Sequence, residues 1–93
     1  MRVKPVITEK LQRALAPVRL AVIDESARHA GHAGAKPEGE THFRVEIVSA
    51  AFRGLSRLAR QRRVHEILAD ELKAQVHALS LSTLTPEEDS QRR

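Results

Sequence analysis

Residues 41–48 constrain the fold more than any other part of the chain, because apolar and polar side chains alternate along them. Phe43, Val45 and Ile47 fall on one side of an extended chain, and the polar residues between them fall on the other side. This period of two predicts a strand with one face in the core and one face outside it. A strand cannot bury its own apolar face, so further elements have to cover that face.

The residues before this strand predict a helix and another strand. Ile7, Leu11 and Leu15 recur at helical spacing, which predicts a first helix from Ile7 onward. Pro17 cannot continue that helix, because proline lacks an amide donor. The apolar, partly β-branched run at residues 18–24 predicts the first strand, and we expect the two strands to form a hairpin.

The remaining segments predict a loop, two helices and a third strand. Residues 26–40 hold three of the four glycines, so we expect a long loop inside the hairpin. Residues 49–52 predict a short helical turn that ends near Gly54, and Ser56 is suited to cap a longer helix. The core-facing stripe of that longer helix consists of Val64, Ile67, Leu68 and Leu72. Residues 76–84 predict the third strand.

The predicted order is helix, strand, strand, short helix, long helix, strand. It indicates an α+β fold in which helices cover one face of a three-stranded mixed sheet. Ninety-three residues support a single core, so we expect one domain over residues 1–85 and a polar C-terminal tail over residues 86–93. No apolar run is long enough to cross a bilayer and no signal segment is recognisable, so we expect a cytoplasmic protein without membrane contact.

The chain contains no cysteine, which excludes disulfides, thiolate nucleophiles and metal sites built from its own thiolates. Its five histidines are therefore the only soft metal ligands. The acidic residues fall at predicted helix starts, strand ends and the tail, and they do not form a pair suited to acid and base catalysis. We therefore expect a protein that is not an enzyme.

Several sequence blocks, taken together, resemble the BolA family. They are VIDES at 22–26, GETHFRV at 39–45, IVS at 47–49, FRGLS at 52–56, EL at 71–72, VHALSL at 76–81 and TPE at 85–87. The resemblance implies a class II KH-like fold, in agreement with the order of elements above. It also implies a heterodimer with a monothiol glutaredoxin and a 2Fe-2S cluster shared between the two proteins, with glutathione supplied alongside the glutaredoxin. The isolated chain is expected to hold no cofactor and to be a monomer or a weak homodimer.

The resemblance also assigns candidate cluster ligands. The C-terminal histidine ligand of the family corresponds to His77, and the second ligand comes from the loop between the first two strands. His29 matches that position best by its distance from the VIDES block, but His32 is a second candidate. Histidine can replace thiolate as a ligand to cluster iron, as it does in Rieske centres. Imidazole must be neutral to bind, so acid should weaken this half of the site.

A DNA-binding transcriptional regulator is the alternative function. Between Glu46 and Glu66 there is no acidic residue, and residues 49–73 predict a helix-turn-helix segment. The basic side chains of this segment are Arg53, Arg57, Arg60, Arg62 and Arg63. Those on the helix are distributed around it at about 100 degrees per residue, so they cannot all face one duplex. A solvated start of the helix explains the same arginines equally well.

Overall fold

A computed structural model describes residues 2–25 and 41–92 of the protein. The elements in chain order are α1 (Val3–Leu15), β1 (Arg19–Asp24), β2 (His42–Val48), a short 3-10 helix (Ala50–Phe52), α2 (Arg57–Ile67), α3 (Ala69–Ala74), β3 (Ala78–Leu84) and α4 (Pro86–Arg92). This arrangement confirms the predicted α+β class and the three-stranded mixed sheet. None of the helices in the described ranges combines the length and the apolar character needed to cross a bilayer.

Strand β2 lies in the centre of the sheet, between β1 and β3. It pairs antiparallel with β1, so that Val22 lies opposite Val45, and this confirms the predicted hairpin. It pairs parallel with β3, so that Val45 also lies beside Leu81. The chain can return parallel to β2 only by crossing from one end of the sheet to the other, and α2 and α3 form that crossing.

The core lies between the apolar face of the sheet and the helices. Phe43, Val45 and Ile47 of β2 are buried, as their alternation predicted. They belong to one cluster with residues from α1, β1, the 3-10 helix, α2 and the α2–α3 junction, and from the turn before β3. Helix α1 begins four residues earlier than predicted, with Val3 also buried. Pro5 is tolerated there, because amides in the first turn of a helix have no intrahelical acceptor.

The predicted longer helix is two helices, and the single-helix prediction is wrong. The chain departs from helical geometry at Leu68, where φ is −102° and ψ is 18°. A straight helix would rotate Leu72 away from the direction of Val64, because eight residues advance the helix by about 80 degrees beyond two full turns. The bend keeps Leu68 buried and allows Leu72 to pack against the core.

Residues 86–92, predicted as part of a polar tail, are polar but form helix α4. Thr85 and Glu88 make reciprocal hydrogen bonds at its start: the Thr85 N–H donates to Glu88 Oε1 (2.8 Å), and the Glu88 N–H donates to Thr85 Oγ1 (3.2 Å). This arrangement is a capping box, and Pro86 occupies the first helical position, where proline is favoured. Within the described residues, α4 is attached to the domain by the ion pairs Arg53–Glu87, Arg60–Glu88 and Arg19–Asp89.

Candidate functional site

His77 lies immediately before β3, at the end of the sheet where β2 begins. Its backbone N–H donates a hydrogen bond to the carbonyl oxygen of Thr41 (2.8 Å), and the N–H of Ala78 donates to the same oxygen (3.2 Å). The His77 side chain is exposed. The sheet therefore fixes the backbone of His77, while its imidazole stays accessible to a metal or a partner protein outside the domain.

The loop predicted to carry the second ligand begins and ends at this same end of the sheet. The Glu25 N–H donates to the carbonyl oxygen of His42 (2.7 Å), and this bond closes the base of the loop. His29 and His32 lie outside the described residues. Because Thr41 accepts the hydrogen bond from His77, the base of the loop and the candidate C-terminal ligand are neighbours.

His42 stands beside Ala78 in the sheet and is half-buried. Its Nδ1 lies 2.8 Å from Oγ1 of Thr41, whose side chain is buried. Hydrogen bonding of this kind orients a ring within the protein. Residues 2–25 and 41–92 contain no group of three His, Asp or Glu side chains arranged to hold a metal ion. An accessible imidazole fits iron, which accepts nitrogen ligands.

The arginines of the predicted basic segment have different environments. Arg53 forms a bidentate ion pair with Glu87, in which Nε donates to Oε1 (2.9 Å) and Nη2 donates to Oε2. These hydrogen bonds raise the pKa of Arg53 and lower the pKa of Glu87 from its ordinary value. Arg57, Arg62 and Arg63 are exposed on α2.

Arg60 faces inward, although its position among basic residues predicted a surface arginine. Its Nη1 donates to the carbonyl oxygen of Thr83 (3.0 Å) and to Glu88 Oε1 (2.7 Å), and its Nε donates to the carbonyl oxygen of Leu55 (3.0 Å). Its guanidinium carbon also lies 5.9 Å from the ring centroid of Phe52. The side chain is only 8% exposed, so it has little contact with solvent.

The hydrogen bond from Arg60 is the main reason that the pKa of Glu88 is lowered to about 2, and the bond from the Thr85 N–H adds to this effect. The structural role of Arg60 was missed because its partners lie 23 and 28 residues away along the chain. The helix start at Thr85 did have a signal in the sequence, since Thr85, Pro86 and Glu88 are spaced as in a capping box.

A family model described as BolA-like protein matches residues 11–88. This chain belongs to the BolA family. The resemblance noted in the sequence is thereby confirmed. The match includes the three strands of the described residues, the 3-10 helix, α2 and α3, the C-terminal part of α1 and the start of α4. His77 and the loop that carries His29 and His32 lie within it.

Two BolA-family relatives and one solved structure illustrate the match. The chain is 49% identical over 86 residues to SufE-like protein 1 of Arabidopsis thaliana, which covers 88% of this chain but only 23% of that protein. It is 46% identical over 88 residues to the DNA-binding transcriptional regulator BolA of Escherichia coli K12, covering 95% of this chain and 80% of that protein. The BolA domain of SufE1 from Arabidopsis thaliana superimposes with a TM-score of 0.84 at 48% identity, covering 92% of this chain and 94% of that domain.

Proposed function

We propose that this protein binds a monothiol glutaredoxin and supplies histidine ligands to a 2Fe-2S cluster held between the two chains, in iron-sulfur cluster trafficking or iron sensing. The observation that supports this most is the exposed imidazole of His77 on a backbone fixed beside the loop base. The cluster, when bound, would supply redox chemistry. The partner's cysteine and glutathione would hold one iron, and His77 with one loop histidine would hold the other.

The covalent geometry of the loop supports the pairing of His77 with a loop histidine. His29 follows Glu25 by four positions, so the two Cα atoms are at most roughly 14 Å apart. Thr41, at the other end of the loop, contacts the backbone of His77. The second ligand is therefore within reach without any change in the sheet. Since the chain has no cysteine, imidazole is the soft ligand that it has to offer.

The test is a titration of cluster-loaded monothiol glutaredoxin with this protein, followed by visible absorption, circular dichroism and EPR. Wild-type protein should shift the spectra toward mixed sulfur and nitrogen ligation. His77→Ala should abolish the shift. His65→Ala is the matched control, because His65 is an exposed histidine on α2 and should leave the shift intact. Spectra that respond equally to wild type and His77→Ala would refute the ligand assignment.

The same titration with His29→Ala and His32→Ala identifies the second ligand. The variant that lacks the true ligand should lose the nitrogen signature, while the other retains it. Acid should weaken the mixed-ligand state, because a protonated imidazole cannot bind iron. Retention of the full spectral change in the double variant would exclude the loop as the source of a ligand.

DNA binding is the second candidate function, favoured by the name of the Escherichia coli relative and by the exposed arginines of α2. Arg60 is engaged inside the domain, so we assign phosphate contacts to Arg57, Arg62 and Arg63. Affinity for a duplex should fall with salt, with a logarithmic slope near 0.9 per phosphate contacted. Arg57→Gln with Arg63→Gln should reduce that slope, and Arg13→Gln on α1 should change it less. A slope unaffected by the double substitution would exclude α2 as the contact surface.

A further inference from the structure

The outer edge of β3 exposes backbone groups that are not used by the sheet. The carbonyl oxygen of Leu84 accepts a hydrogen bond from the Ser49 N–H (2.9 Å), so the backbone carbonyl of Leu84 points toward β2. The carbonyl oxygen of Thr83 accepts from Arg60 Nη1 (3.0 Å) on the opposite side. Since alternate residues of a strand direct their backbone groups to opposite edges, Leu79 and Leu81 point outward with Thr83.

A cleft of about 130 Å³ lies along this edge. Its walls are Arg57 and Gln61 of α2, residues 81–84 of β3, and Arg92 of α4. The lining contains no carboxylate. Arg57 and Arg92 are both exposed, and neither forms an ion pair with any of the residues that the structure describes. The cleft therefore combines outward backbone donors and acceptors with two positive charges.

We propose that this cleft binds an extended acidic segment of another protein, which adds to β3 as a fourth strand. The N–H and C=O groups of Leu81 in the cleft, and of Leu79 beyond its end, recur at every second residue, which is the repeat that an extended peptide presents. Arg57 and Arg92 attract carboxylates on such a segment, and the backbone pairing fixes its direction. Strand addition at this edge does not depend on cluster binding.

Two other occupants fit the cleft less well. Single-stranded nucleic acid is bound largely by stacking on aromatic side chains, and the two phenylalanines are buried while tyrosine and tryptophan are absent from the sequence. A second copy of this chain paired in parallel through β3 would bring its own arginines toward Arg57 and Arg92, and an antiparallel pair would offer them no carboxylate from β3. Like charges placed across a strand pair are destabilising. An acidic peptide satisfies both the backbone groups and the charges.

The test measures fluorescence anisotropy of a labelled octapeptide of alternating glutamate and valine, titrated with the full chain. Arg57→Gln with Arg92→Gln should weaken binding by about tenfold or more, which corresponds to loss of two charged contacts. Arg13→Gln is the control, because Arg13 is an exposed arginine on α1 outside the cleft lining, and it should leave the affinity within about twofold of wild type. Both arginines of the double variant are exposed, so the fold should be kept, as circular dichroism would verify.

Two further probes separate strand addition from simple charge attraction. An octapeptide N-methylated at alternate residues should lose binding, because it can no longer donate hydrogen bonds to the edge. Hydrogen exchange at the amides of Leu79 and Leu81 should slow when the unmodified peptide binds. The proposal is overturned if the methylated peptide binds as well as the unmodified one, if a ten-nucleotide thymidine strand protects these amides better, or if they are already protected in a dimer without peptide.

Discussion

The two ends of the sheet are built differently. At the end where β2 begins, main-chain hydrogen bonds between Thr41, Ala78 and His77 hold the backbone, and the His77 ring is exposed. At the end where β2 and β3 finish, side chains add to the main-chain hydrogen bonds, because Arg60 joins β3 to Glu88 of α4. The end that contains Arg60 therefore stabilises the fold through side chains that are already hydrogen-bonded within the domain. At the other end, in the part of the chain that the structure describes, the exposed side chain of His77 makes no contact on which the sheet depends.

Replacing Arg60 should have the largest effect on stability. Arg60→Ala removes hydrogen bonds to Leu55, Thr83 and Glu88 at once. We expect a loss of about 2 to 3 kcal/mol in the free energy of unfolding, since buried hydrogen bonds to charged groups contribute in this range and Glu88 remains partly hydrated. Urea denaturation followed by circular dichroism measures this loss.

Arg62→Ala is the matched control, because Arg62 is an exposed arginine on the same helix. Its stability should stay within about 0.5 kcal/mol of wild type. Equal losses in the two variants would show that the α4 end does not depend on the buried guanidinium, and the contrast between the two ends would fail.

The pH dependence of stability should depend on the Arg60–Glu88 ion pair at the same end of the sheet. The Arg60 hydrogen bond lowers the pKa of Glu88 from 4.5 to about 2 in the folded protein. The unfolded chain therefore binds more protons between these values, so the stabilisation is complete above pH 4.5 and is lost as the pH falls toward 2. Glu88→Gln should flatten this part of the stability curve, as measured by urea denaturation at a series of pH values.

Arg60→Ala should flatten the same window, because it removes the main cause of the lowered pKa. If Glu88→Gln keeps the slope of the wild-type protein between pH 4.5 and 2, the ion pair with Arg60 is not the source of the acid sensitivity.

His77→Ala should have the smallest effect on stability. The sheet holds residue 77 through its backbone N–H, which alanine retains, and the side chain is exposed. The free energy of unfolding should remain within about 0.5 kcal/mol of wild type. A loss above about 1 kcal/mol in the same urea assay would mean that the imidazole has a structural role, and the proposed division between the two ends would not hold.

Local patterns predicted most of the fold. The alternation at Phe43, Val45 and Ile47 and the helical spacing of Ile7 and Leu11 depend on neighbours in the sequence, so the chain itself displays them. The bend at Leu68 could not be foreseen, because it depends on where the sheet lies beneath α2 and α3. Periodicity shows that a helix has an apolar side. It does not show that the helix must bend to keep that side against the sheet.

Long-range pairing accounts for what the sequence did not reveal about the site. Arg60 looked like its exposed neighbours, and its contacts with Thr83 and Glu88 show that it is structural. The acidic residues of α4 have partners 28 to 70 residues away along the chain. The composition of this segment therefore did not show that it forms a helix attached to the domain. The assignment of His77 came from the family resemblance, and its exposure and position beside the loop base came from the structure.

The contact between Arg60 and the Thr83 carbonyl also bears on self-association. An open strand edge invites copies of the same chain to stack into fibrils, which natural proteins resist by shortening or charging the edge. The Arg60 guanidinium occupies the outward carbonyl oxygen of Thr83, and Arg57 and Arg92 line the same end of β3. The remaining stretch at Leu79 and Leu81 is thus short, which limits the backbone pairing that further copies of the chain could make.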